Sequence, residues 1–182
     1  MGKTTGTARK RADASVPLWL AMHEAGHVIA RLQLVAAWHL NGLDNPSSLE
    51  AVRVWIDEHG QPRGVCQWGY REPLSFRYQA IISAAGPVAE ARIRHAKRYD
   101  CLTAGEDYDI IMRSVRRGLA DIEEALKEAS VIVRSCWPDL MTLGIHLQTL
   151  HELTFPEVSR LLDLKNRRCI YNEINRPDTR YV

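Results

Sequence analysis

Residues 21 to 28 read Ala21-Met22-His23-Glu24-Ala25-Gly26-His27-Val28, two histidines four positions apart with a glutamate after the first. On an α-helix such positions stand one above the other, so His23 and His27 would face the same way. Two imidazoles on one face can hold a single zinc ion, and Glu24 beside them is a candidate general base. Composition alone would yield this pattern roughly 0.02 times in a chain of this length, which is low enough for the flanks to decide its meaning. Val16, Leu18, Trp19, Leu20 and Met22 precede it, and Val28, Ile29, Ala30, Leu32, Leu34 and Val35 follow. A helix apolar nearly all round is a buried one. Burying His-Glu-His inside it is costly without a partner, and a metal ion is such a partner.

The chain around this helix has 182 residues, 46% of them hydrophobic, enough for one globular domain with a real core. A net charge of +2 gives no electrostatic case for nucleic acid as a partner. Cys66, Cys101, Cys136 and Cys169 are scattered with no C-x-x-C pair. They are expected as reduced thiols of a cytoplasmic protein, neither a disulfide framework nor a structural zinc site. No apolar run approaches the length of a membrane span, and residues 1–14 lack a following signal-type apolar core. A soluble, cytoplasmic protein without membrane contact is therefore expected.

Residues 1–14 are polar, basic and rich in Gly and Thr, which predicts a disordered arm. A domain over 15–165 follows, and 166–182 form a basic tail with no core pattern. Within the domain, Ser15 and Pro17 start the motif helix, which should run from 16 to the mid-thirties. Loop chemistry over 41–48 leads into alternating Val52, Val54 and Ile56, then a Gly-containing turn and 64–68, which predicts a β-hairpin. Helical patterns follow over 75–98, 107–117, 121–137, 139–150 and 156–164. Gly86-Pro87 should kink or break the first of these, since proline removes the bond to residue 83. The small Gly86 would also let another helix, suitably the motif helix, come close. The expected fold is mainly α (α+β), with one small hairpin or sheet beside the His-Glu-x-x-His helix.

A catalytic zinc ion wants three protein ligands and an open position. The layout with a third His six residues past the second would need Gly at 30 and His at 33, where Ala30 and Gln33 stand. A Glu on a later helix is offered by Glu90, and an Asp opening a later helix by Gly105-Glu106-Asp107-Tyr108-Asp109. His39, His59, His95, His146 and His151 lack ligand spacing.

The order of these features resembles the peptidase domain of FtsH-type ATP-dependent zinc metalloproteases. Residues 21–27 are similar to its zinc helix, 52–57 with Gly64 to its hairpin, and Ala85-Gly86-Pro87-Val88-Ala89-Glu90 to its Gly-Gly-x-x-Ala-Glu segment. Residues 103–109 stand where that family has its aspartate ligand, and 137–158 look like its closing helices. The resemblance covers about residues 16–165 and implies a helical zincin-like metallopeptidase domain. It also implies an aspartate as third ligand. Asp107 at that place puts Tyr108, Ile111 and Val115 on the family's apolar spacings, whereas Asp109 keeps the glycine spacing but puts Arg113 in an apolar slot. Asp107 is preferred, with Asp109 the alternative. Glu90 then becomes a group that accepts a ring N–H from a ligand histidine and orients it.

The function so implied is hydrolysis of peptide bonds in unfolded or flexible polypeptides, with zinc activating a water and Glu24 taking its proton. The hairpin offers a strand edge on which an extended peptide can pair. The sequence has no P-loop and no membrane helix, so it departs from the family in both the ATPase and the anchor. A separate ATPase partner and a homo-oligomer are the assemblies that resemblance leaves open. The competing reading is a non-catalytic zinc-binding interaction or regulatory module that keeps the fold.

Overall fold

A computed structural model of the protein describes residues 15–36, 49–69, 74–97 and 105–164. The arm over 1–14, the loop over 41–48 and the tail over 166–182 lie outside the described residues. In chain order the elements are α1 (Leu18–Ala36), β1 (Leu49–Ile56), β2 (Pro62–Trp68), α2 (Phe76–Ile93), α3 (Glu106–Arg116), α4 (Ile122–Ser135), α5 (Trp137–Leu150), β3 (Glu152–Thr154) and α6 (Phe155–Leu161). This is a mainly helical α+β fold with one small antiparallel sheet.

The helix α1 lies at the centre because almost every side of it is apolar or small. Leu20, Ala21, Met22, Ala25, Val28, Ile29, Ala30, Leu32 and Leu34 are all buried. It packs on α2, α4, α5 and the inner face of β1 and β2. Two glycine contacts set how closely its neighbours come. A Cβ on Gly26 would stand 2.5 Å from the Ala85 carbonyl oxygen of α2, and one on Gly144 of α5 would meet the Met22 sulfur. The N-terminal end is fastened by Gln148 Nε2, which donates to the Val16 carbonyl at 3.0 Å.

The sheet has the order β2-β1-β3. Val52, Val54 and Leu153 point inward and are fully buried, while Arg53, Trp55 and Glu152 face out. Arg53 faces Glu152 across the β1–β3 pair and bonds it at 2.8 Å. The third strand has only three residues between α5 and α6, too few for an alternation to show in the sequence. It is held in place where His151, in a left-handed conformation at the end of α5, offers its carbonyl to Val54 N at 2.8 Å. Thr154 then starts α6, its N–H donating to Glu157 Oε2 at 2.7 Å.

The break expected at Gly86-Pro87 does not occur. The helix α2 runs through Pro87 as one element from Phe76 to Ile93. Residues 80–91 are buried without exception, so packing on α1, α3 and α4 holds the helix across the lost hydrogen bond. Pro138, by contrast, sits in the first turn of α5, where its missing N–H costs nothing. Among the described residues, no helix is long and apolar enough to cross a membrane.

Candidate metal centre

His23 and His27 stand one turn apart on α1, their rings edge to face with centroids 4.9 Å apart. They lie where α1 crosses α2 at Gly86. A Cβ on Gly86 would strike Nε2 and Cε1 of His27 and Cδ2 of His23, so only glycine leaves room for both rings.

Both rings are held by their Nδ1 atoms. His27 Nδ1 donates to the Ile82 carbonyl at 2.8 Å. A carbonyl only accepts, so the proton is on Nδ1 and the lone pair of the neutral ring is on Nε2. His23 Nδ1 donates to Glu90 Oε2 at 2.9 Å. The other carboxylate oxygen of Glu90 accepts from Arg94 Nη1, one turn further along α2, and the Arg94 guanidinium lies over the Trp19 ring. With each oxygen committed, Glu90 faces the back of His23 and does not join the two Nε2 atoms.

Asp107 does. It sits in the first turn of α3, which starts after Gly105 at φ 115°, a conformation suited to glycine. Its Oδ2 lies 3.0 Å from His23 Nε2 and 3.2 Å from His27 Nε2. Asp109, two residues on, is exposed on the far side of the helix, as is Arg113, while Ile111 is buried and Tyr108 and Val115 pack against the core. The apolar stripe of α3 thus decides which aspartate turns inward. The other histidines among the described residues, His59, His95, His146 and His151, stand outside this cluster.

Charge follows from these contacts. Burial alone would lower the His23 pKa, but bonds to Asp107 and Glu90 and the nearby Glu24 raise it to about 10. Burial also opposes charge on His27, yet Asp107 beside it wins and raises it. Asp107 would be raised by burial and is instead held far below the usual carboxylate range by the two imidazoles. Glu90 shows the same balance, with bonds from His23 and Arg94 lowering it against burial. A proton between His23 Nε2 and Asp107 Oδ2 therefore fills the place that a cation bonded to both atoms would take.

The donor set fits a metal ion. Two Nε2 atoms and one carboxylate oxygen converge within 4.8 Å of one another. A tetrahedral zinc with bonds of about 2.0–2.1 Å needs ligand atoms about 3.3–3.4 Å apart, close to the two N···O separations of 3.0 and 3.2 Å. His23, His27 and Asp107 could hold it.

Glu24 turns toward β2, and its charge acts on both His23 and His27. It is buried, and its carboxylate lies against Gly64 and Cys66. Cys66, Arg94 and the Ile82 carbonyl are members of the site that the sequence did not reveal. The period-two pattern of 64–68 puts Gly64 and Cys66 on one face of a strand, but which helix that face meets depends on the tertiary fold. No protein-family model matches this chain, and no curated protein matches it.

Proposed function

We propose that this protein is a zinc-dependent metallopeptidase, with His23, His27 and Asp107 as metal ligands and Glu24 as general base. One observation carries the reading: both Nε2 atoms converge on Asp107 Oδ2 while both Nδ1 protons are committed elsewhere. Once the proton between His23 Nε2 and Asp107 Oδ2 leaves, the chain would offer two Nε2 lone pairs and one carboxylate oxygen in a preformed set. Zinc bound there would supply a Lewis acid that polarises a carbonyl and lowers the pKa of a water. Glu24 stands next to His23 on the same helix and would take a proton from water and pass it to the leaving amine.

The substrate class is an unfolded or flexible polypeptide. Its support is β2, which pairs only with β1 among the described residues and lies beside Glu24. An extended peptide added along that free edge would run past the base. The ordered motifs that resemble the FtsH-type peptidase domain support the same class. The cytoplasm is the proposed location, in keeping with Cys66 as a reduced thiol.

Metal content of the purified protein and cleavage of an unfolded casein-like substrate test this. The expected result is about one zinc per chain, lost in His23→Ala, and cleavage abolished in Glu24→Gln with zinc retained. No zinc after metal-replete purification overturns the proposal. Zinc without cleavage leaves a metal-binding interaction module in its place.

A further inference from the structure

On β2, Gly64 and Cys66 face α1, and together they line the Glu24 carboxylate. A Cβ on Gly64 would strike Oε1, Cδ and Cγ of Glu24, so the carboxylate occupies the space a side chain would need. Cys66 Sγ lies 3.2 Å from Glu24 Oε2 and 3.5 Å from the Glu24 carbonyl oxygen. Both oxygens only accept, which puts the hydrogen on sulfur. Among the described residues, no other group donates a hydrogen bond to this carboxylate. Burial pushes the Cys66 thiol well up, and Glu24 beside it pushes the same way, so the group stays S–H. A thiol held in that form is no nucleophile and no ready target of oxidation.

We infer that Cys66 is a positioning residue for Glu24, its S–H fixing the orientation of the carboxylate in the slot that Gly64 leaves open. This rests on Glu24 acting as the base of the proposed peptidase. A carboxylate offers about four acceptor sites, so one S–H sets its direction and leaves the others for a water. A thiol is also a weak donor, and the carboxylate is guided without being locked.

Two measurements on the whole chain test the inference, one of them independent of activity. The S–H stretch lies in a region of the infrared spectrum clear of other protein bands, and the difference between wild type and Cys66→Ser assigns the Cys66 band. It is expected below the frequency of a free thiol and should rise in Glu24→Ala. A band that Glu24→Ala does not move overturns the inference. In steady-state kinetics, Cys66→Ala should lower kcat about five- to tenfold, with KM within about twofold and zinc content unchanged, the size expected for one hydrogen bond. Cys66→Ser, which keeps a donor, should recover most of kcat. Should Cys66→Ala fail to fold, Cys66→Val, similar in volume and without a donor, replaces it. Full kcat in the variant without a donor overturns the inference. A wild-type protein that binds zinc but cleaves no peptide overturns the peptidase reading and the positioning role with it, whereas an unmoved band overturns the positioning role alone.

Discussion

His23 Nδ1 donates to Glu90 Oε2 at 2.9 Å, on the side of the ring opposite Asp107. The bond spans α1 and α2 and determines where Nε2 of His23 points. Arg94 occupies the second oxygen of Glu90 and lies over Trp19, so the carboxylate is fixed from both sides. Glu90→Gln should weaken zinc binding about 10–100-fold, because the ring loses both its orienting partner and the charge that makes Nε2 a better donor. Arg94→Ala acts one step further out and should cost less, within about tenfold. Competition with a chromophoric chelator measures both. Equal affinity in wild type and Glu90→Gln would remove Glu90 from any role at the centre.

The close crossing of α1 and α2 makes two glycine substitutions differ in kind. Gly26→Ala would push a methyl into the Ala85 carbonyl, which is backbone and cannot turn aside. It should destabilise the fold by about 1–3 kcal/mol, read from urea unfolding. Gly86→Ala would instead strike the two imidazole rings themselves, displacing Nε2 of His27 and Cδ2 of His23. There the larger effect should fall on zinc, with affinity reduced at least about tenfold by a displaced ligand set.

In the proposed metal centre a proton and a metal ion would compete for one position, which would give opposite pH dependences with and without zinc. His23 is raised from 6.5 to about 10 in the metal-free fold. Its contribution to stability is fully present below 6.5 and disappears as pH rises through about 10. Asp107, lowered from 3.8, contributes above that value and loses its contribution on acidification. The metal-free protein should therefore unfold at progressively lower denaturant between pH 6.5 and 10. Zinc affinity should rise over the same window, about tenfold per pH unit for each proton displaced. Calorimetric titration in buffers of different ionisation enthalpy counts that proton. Zinc affinity flat with pH would show that His23 binds no proton in the metal-free state.

Much of this architecture could be read from residue order because its signals are local. The apolar run around His23 and His27, the alternation of Val52, Val54 and Ile56, and the stripe of Tyr108, Ile111 and Val115 each lie within one element. The third strand was not legible, since Glu152–Thr154 is too short to show a period and exists only through its pairing with β1. Pro87 was misleading for a related reason. A proline breaks an exposed helix, but burial of α2 over residues 80–91 overrides that tendency. Arg94 and Cys66 were not legible either, because each acts on the site across an interface between elements that sequence spacing does not define.

The choice between two aspartates remains the most direct test of the ligand set. Asp107 Oδ2 faces both Nε2 atoms, while Asp109 sits on the exposed side of α3, held there by the burial of Ile111. Asp107→Asn keeps the volume and one oxygen but removes the charge that would offset a bound cation. Zinc affinity should fall by more than the about 10–100-fold expected for losing an orienting partner. Asp109→Asn should stay within about twofold of wild type, as surface substitutions away from a site do. Measured side by side by chelator competition, the reverse result would mean that α3 turns by part of a helical repeat when metal binds. That rotation would bury Arg113 and expose Ile111, so Asp109→Asn and Ile111→Ala together would distinguish a rotated helix from a ligand set with no aspartate.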